Sequence, residues 1–328
     1  MWRTDNIEAM SSSASTHSSL PDLAALSAAD LLSALISADE FAAHVARALA
    51  EDLGAAGDVT GQAMIAADAR ATAVVRFRSV GIACGAVLVE EVIRQTASGA
   101  RISRHAADGE RVAAGAKFIT IEGSLRGILA AERTLLNYVG HLSGIATLTA
   151  SYVERVRGTR ASICDTRKTM PGMRMLEKWA VRCGGGTNHR IGLFDAMLIK
   201  DNHVAGLNPS DMAIRVASAA VAARASTPLR FVEVECDTLE QVQAMLGLPR
   251  GTIDMVLLDN MSLEQLAEAV RMRDAAAPAV LLEASGGVHL ERVAAIAATG
   301  VDRISVGALT HSAPCLDVGL DIDSFPRQ

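Results

Sequence analysis

Six short apolar runs, each closing on a polar residue or a glycine, constrain this chain more than any other feature. They are Ala161–Asp165, Ala196–Ile199, Arg230–Glu235, Ile253–Leu258, Ala279–Glu283 and Arg303–Val306, and helical stretches follow them. Their starts lie 23 to 35 residues apart, the length of a βα unit. Parallel strands follow from that rhythm, either closing into a barrel or lying in an open doubly wound sheet; the spacing suits both. What stands at the carboxyl end of each run is chemically rich. Asp165, Thr166, Arg167 and Lys168 follow the first, and Lys200 to His203 close the second. Glu233 and Glu235 end the third on one face, Asp259 and Asn260 follow the fourth, Ser285, Gly286 and Gly287 the fifth, and Gly307 the sixth. In parallel α/β folds that end is where sites assemble.

The first 120 or so residues read differently. Apolar residues recur at helical spacing from Asp22 to Leu53, with Asp22 and Asp30 as caps. Ala71–Arg78 and Phe118–Ile121 have the pattern of half-buried strands, giving a small α+β layer. Ser124 caps a helix that carries Glu132 and Arg133. The uncharged run from Leu135 to Val153 approaches bilayer length, yet Asn137, His141, two glycines and several hydroxyls make it a buried helix at a domain or subunit junction. Residues 1–19 are serine-rich without an apolar signal core and read as a flexible tail. Five cysteines form an odd set with no CxxC pair, which fits a reducing cytosol. A net charge of −6 with only 3% aromatic residues argues against nucleic acid as a partner.

The charge is unevenly distributed. Between Asp165 and His203 seven basic and four acidic residues give +3, which leaves −9 over the remainder. A basic mouth on an acidic protein concentrates anions. Arg174, Lys178 and Arg182 read as a solvated helix face; Lys200, directly behind an apolar run, points into the interior or the mouth and needs an anionic partner. Ser285-Gly286-Gly287 and Val306-Gly307-Ala308 follow consecutive strands, where bare backbone N–H groups can approach a phosphate. Gly184-Gly185-Gly186 lacks the lysine and hydroxyl ending of a P-loop. Glu235 and Asp259, at neighbouring strand ends, suit three roles: holding Mg²⁺ beside a phosphate, general acid/base work, or partnering Lys168 and Lys200. The phosphate signal favours the metal.

Taken together, the segments resemble the quinolinate phosphoribosyltransferase family. The likeness runs through Glu51-Asp52-Leu53-Gly54, Glu132-Arg133-Thr134, Leu142-Ser143-Gly144, Asp165-Thr166-Arg167-Lys168 and Asn188-His189-Arg190. It continues through Lys200-Asp201-Asn202-His203, Glu233-Val234-Glu235, Leu258-Asp259-Asn260, Ser285-Gly286-Gly287 and Val306-Gly307-Ala308, covering about residues 25 to 322. It implies an open-faced α/β sandwich over 20–145, completed by 311–328, joined to an incomplete TIM-like barrel of about six parallel strands over 146–310. It implies a cytoplasmic homodimer with shared sites, joining quinolinate to phosphoribosyl pyrophosphate with Mg²⁺ and no organic cofactor. By the same resemblance Arg133 enters from the partner subunit to meet quinolinate, Arg167, His189 and Arg190 clamp its carboxylates, and Thr166 is a further substrate-binding residue. Lys168 and Lys200 face quinolinate and the phosphates, Glu235 and Asp259 the ribose and metal, and the loops at Ser285–Gly287 and Val306–Ala308 the 5′-phosphate. Lys168, Lys200, Glu235 and Asp259 are the catalytic set. Tyr138 departs from the phenylalanine expected after Arg133 but removes no charge. Three other readings stand beside this one: a molybdenum-operon paralogue with another acceptor, a Schiff-base aldolase using Lys200, and an anion-binding sensor without turnover.

Overall fold

The computed structural model describes residues 23–324, so the serine-rich segment 1–19 and the cap expected at Asp22 lie outside the described residues. The first helical stretch is two helices, α1 (Ala28–Leu35) and α2 (Ala38–Leu53). Ser37 breaks it: its hydroxyl accepts the Glu40 N–H at 3.3 Å while the Glu40 carboxylate accepts the Ser37 N–H at 3.2 Å, a reciprocal box that starts a new helix. Ser27, rather than Asp30, caps α1, and Asp30 accepts the Ser27 hydroxyl at 2.6 Å.

After α3 (Val59–Met64) come β1 (Arg70–Phe77), β2 (Gly81–Ile82), α4 (Ala86–Thr96), β3 (Arg101–Arg104), β4 (Arg111–Val112) and β5 (Lys117–Ser124). The antiparallel sheet of this half has the order β12-β1-β5-β3, its edge strand β12 (Val318–Ser324) arriving from the far end of the chain. One face packs on the helices; the other carries cross-strand ion pairs such as Arg76–Asp321 at 3.2 Å, which leaves the layer open-faced.

Helix α5 (Leu125–Arg155) joins the halves. Ser124 caps it as expected, accepting the Gly127 N–H at 3.4 Å. Its uncharged run packs against α4, β2 and α6 (Arg174–Cys183), and no helix among the described residues is long and apolar enough to cross a membrane. The three glycines 184–186 have a packing purpose: a Cβ on Gly184 would lie 2.3 Å from the Ala146 carbonyl, so only glycine lets the end of α6 press on α5.

The six expected strands all form: β6 (Ser162–Cys164), β7 (Met197–Ile199), β8 (Val232–Cys236), β9 (Met255–Asp259), β10 (Leu281–Ser285) and β11 (Arg303–Ser305). The helices α7 (Pro209–Ser226), α8 (Leu239–Leu246), α9 (Leu263–Ala276), α10 (Val293–Ala298) and α11 (Ala308–His311) follow β7 to β11 in turn. All pairings are parallel, in the order β6-β11-β10-β9-β8-β7. Consecutive strands β6 and β7 therefore stand at opposite edges, and the barrel is incomplete between them. The β6 edge is covered instead by the connection from 165 to 196, where Thr187 donates its N–H to the Ile163 carbonyl at 2.8 Å. One apolar core runs through both halves.

Candidate active site

The carboxyl ends of the six strands curve round one cavity of about 620 Å³. Thr166, Arg167 and Lys168 come from behind β6, Lys200 from behind β7, and Glu235, Asp259 and Ser285 from the ends of β8, β9 and β10. His189, Arg190, Gly286 and Gly287 complete the expected set that lines it. Residues separated by more than a hundred positions thus share one mouth. A second hollow, about 730 Å³ between β7 and α7, shares Arg190 and Leu198 but is mainly apolar.

Two guanidinium groups dominate the floor. Arg190 is buried, and Arg167 has its Nε shut away from solvent with no hydrogen-bond partner. Burial and then the nearby Arg167 lower the pKa of Arg190. Among the described residues neither arginine has a carboxylate ion-pair partner. Glu233 and Asp195 act on Arg190 only from a distance, so two neighbouring cations without a direct ion pair form a site that an anionic ligand completes.

The segment holding Arg190 is fixed from beneath. Asp165, fully buried, accepts Lys178 Nζ at 2.5 Å and the His189 N–H at 2.8 Å through Oδ1, and Asn188 Nδ2 at 2.6 Å through Oδ2. Asn188 also donates to the Lys178 carbonyl at 2.8 Å. This corrects the reading of Lys178 as solvated charge: its exposure is 0%, because Asp165 gives it a buried partner. Arg174 and Arg182 are half-buried; they donate to Thr169 Oγ1 at 3.1 Å and to the Leu26 carbonyl at 2.8 Å.

His189 sits over a buried cluster of charge. Its Nε2 lies 2.8 Å from Glu233 and 3.3 Å from Glu283, while its Nδ1 accepts the Arg190 N–H at 2.8 Å. Glu283 accepts Arg303 Nε at 2.7 Å from the register neighbour on β11. Burial would lower the His189 pKa, but Glu283 and Glu233 outweigh it and push it up to about 10. Burial, aided by Glu283, raises Glu233; His189 and Arg303 overcome burial to hold Glu283 down at about 2. With Nδ1 an acceptor, the ring keeps its proton on Nε2, and the raised affinity for a further proton belongs to the His189–Glu233–Glu283 cluster as a whole. With that proton on the cluster and Arg303 charged, the four groups sum to zero, and Arg167 and Arg190 remain as the guanidiniums facing the cavity. The spacing of His189, Glu233 and Glu283 would suit a cation, and Arg303 already supplies one.

At the opposite rim Lys200 is ion-paired with Glu235, the anionic partner its position required. Asp259 has one carboxylate oxygen held by Asn260 Nδ2 at 2.6 Å. The Lys168 backbone carbonyl accepts Thr310 Oγ1 at 2.7 Å, and the Lys168 stem lies against Gly307, where a Cβ would meet it at 2.9 Å. Gly307 and Ala308 therefore stand beside the mouth without lining it. Val306 has its side chain in the core, and its N–H donates to the Cys164 carbonyl at 2.9 Å.

Arg133 is not brought to this cavity. It is exposed on α5 and lines a separate hollow of about 700 Å³ with Glu51, Asp52, Asn137 and His141.

Residues 58–143 match the quinolinate phosphoribosyl transferase N-terminal domain and residues 145–321 its C-terminal domain. The chain belongs to the quinolinate phosphoribosyltransferase family. It is 47% identical over 280 residues to the nicotinate-nucleotide pyrophosphorylase (carboxylating) of Mycobacterium leprae, covering 85% of this chain and 95% of that protein. A quinolinate phosphoribosyltransferase (decarboxylating) of Nicotiana tabacum is 38% identical over 84% of this chain and 80% of its own length. Among solved structures, the nicotinate-nucleotide pyrophosphorylase of Francisella tularensis superposes with a TM-score of 0.78 at 39% identity, covering 88% of this chain and 98% of that one. The structure also brings to the lining, or directly beneath it, groups to which the sequence reading gave no site role: Asp165, Lys178, Asn188, Asn260, Glu283 and Arg303. Glu283 and Arg303 carried a readable signal, since charge inside a strand buried on both faces requires a partner.

Proposed function

We propose that this chain transfers the 5-phosphoribosyl group of phosphoribosyl pyrophosphate to the ring nitrogen of quinolinate, with release of pyrophosphate and CO₂, to give nicotinate mononucleotide. One observation carries the reading: two neighbouring guanidiniums, buried Arg190 and half-buried Arg167, line the mouth with no ion pair to a protein carboxylate among the described residues. Quinolinate bears two carboxylates on one ring, and planar guanidinium forks accept carboxylates bidentately.

The C1′–O bond breaks with its electron pair leaving on pyrophosphate, and the ring nitrogen forms the new C1′–N bond. Negative charge grows on the leaving group while the ribose becomes electron-poor. Lys168 and Lys200 meet the former; Glu235, paired with Lys200, and Asp259 suit the latter. The loop Ser285–Gly287 takes the 5′-phosphate through backbone N–H groups. Once ribosylated, the ring nitrogen is a cation beside the C2 carboxylate. It stabilises the electron pair left when the carbon–carboxylate bond breaks, and a proton then takes the vacated C2 position. Glu235 and Asp259 are hard oxygen donors at neighbouring strand ends and fit Mg²⁺. When bound there, Mg²⁺ would offset the charge of the pyrophosphate.

Arg133 lies outside its own mouth, which supports a homodimer in which each copy completes the other's site. The five cysteines, all free and four of them buried, suit a cytoplasmic setting. Lys200 already has a carboxylate partner, which favours a charge-bearing role over Schiff-base chemistry. The purified protein with Mg²⁺ should consume both substrates and release CO₂, with nicotinate, which lacks the C2 carboxylate, left unreacted. Binding of both substrates without turnover would identify a sensor instead, and borohydride trapping of a carbonyl substrate on Lys200 an aldolase.

A further inference from the structure

Asn260 is the sole non-glycine residue with positive φ among the described residues, at 54°. That conformation costs energy for a residue with a Cβ, though asparagine tolerates it better than most. It follows Asp259 directly and faces the same mouth. Three contacts radiate from it. Its Nδ2 donates to Asp259 Oδ2 at 2.6 Å, and its N–H donates to the Ser285 carbonyl at 3.0 Å. Its Oδ1 occupies the space beside Gly286, where a Cβ would come within 2.1 Å. The next residue is tied to the same neighbourhood, since Arg292 Nη2 donates to the Met261 carbonyl at 3.2 Å.

We propose that Asn260 is a positioning residue that sets the phosphoribosyl pyrophosphate half of the site. The proposal rests on the substrate reading above. The left-handed backbone turns the Asn260 amide back onto Asp259, engaging one carboxylate oxygen and leaving the other for the ribose or for Mg²⁺. The same side chain fills the hollow beside Gly286 and so shapes the Ser285–Gly287 loop. One residue thereby fixes the carboxylate and the phosphate loop relative to each other. The quinolinate floor at Arg167 and Arg190 receives no contact from it.

Three variants separate backbone from side chain. Asn260→Gly keeps the conformation and loses the amide, Asn260→Ala loses both, and Asn260→Asp keeps the shape but sets a second carboxylate against Asp259. Steady-state kinetics are read for each substrate, with calorimetric titration of phosphoribosyl pyrophosphate in Mg²⁺ as a readout independent of turnover. In Asn260→Gly the KM and the calorimetric Kd for phosphoribosyl pyrophosphate should rise by about 10- to 100-fold, with the quinolinate KM nearly unchanged. Asn260→Asp should be affected at least as strongly. If Asn260→Ala fails to fold, Asn260→Gly still decides, because glycine accepts the positive φ without strain. Wild-type values in Asn260→Gly would overturn the proposal, as would an equal rise in both KM values, the mark of a merely structural role. Failure of the wild type to bind phosphoribosyl pyrophosphate would remove the substrate reading, and this proposal with it.

Discussion

Arg167 and Arg190 lie close together at the floor of the mouth with no direct ion pair to a carboxylate among the described residues, an arrangement that costs electrostatic energy until a dianion arrives. Replacing Arg190 by alanine should lower kcat/KM for quinolinate by about 10²-fold while leaving the fold intact; an unchanged value would displace the carboxylate clamp from this pair. His189 makes a different prediction. The cluster it forms with Glu233 and Glu283 holds its shared proton up to about 10, against 6.5 for an ordinary imidazole, so the stabilisation is complete below about pH 6.5 and is lost as pH climbs through 10. The melting-temperature gap between wild type and His189→Gln should therefore narrow steadily from pH 6 to 10. A constant gap would show that the ring acts by packing alone. At this level the sequence was readable at four charged strand ends, since Lys168, Lys200, Glu235 and Asp259 all reach the mouth, whereas Asp165 and Glu233 are buried beneath it. The pairing of the Val306 N–H with Cys164 was not readable, since it depends on a strand more than a hundred residues away.

Helix α6 shows why some side chains could not be assigned from their neighbours. Its run of alternating charge, Arg174 to Arg182, has the look of a solvated face, but both Glu177 and Lys178 are fully buried. Glu177 lies 2.9 Å from His141 of α5, and Lys178 lies 2.5 Å from Asp165 behind β6. Only the docking of α6 between those elements supplies the partners. Removing one member, as in Lys178→Met, leaves Asp165 buried and unpaired and should cost about 3–5 kcal/mol in urea unfolding. The double variant Asp165→Leu with Lys178→Met should recover much of that stability. It should still bind quinolinate poorly, because the His189 and Asn188 anchors on Asp165 are gone. Full affinity in the double variant would show that the segment holds itself in place. The strands themselves were legible, because apolar runs with polar ends are a local pattern. The split at Ser37 was legible too, in the Ser37–Glu40 spacing, but the continuous helical periodicity masked it.

The two halves share a core and a long helix, and α5 carries Arg133 on a surface away from its own mouth. If a second copy receives it, mixing Arg133→Ala with Lys200→Ala subunits should restore activity. Random pairing in a two-fold dimer gives about a quarter of the wild-type level. No recovery after verified exchange would argue that each chain works alone.

β12 has a further consequence. It pairs antiparallel with β1, placing Ser324 opposite Thr72. While the protein is being made, the first sheet waits with β1 lacking a neighbour on one side until residues 318–324, which follow every strand of the second half, have left the ribosome. An unpaired strand edge in such an intermediate is a template for wrong partners. Chains cut short before residue 318 should accordingly collect in aggregates even though every group lining the mouth has already been synthesised.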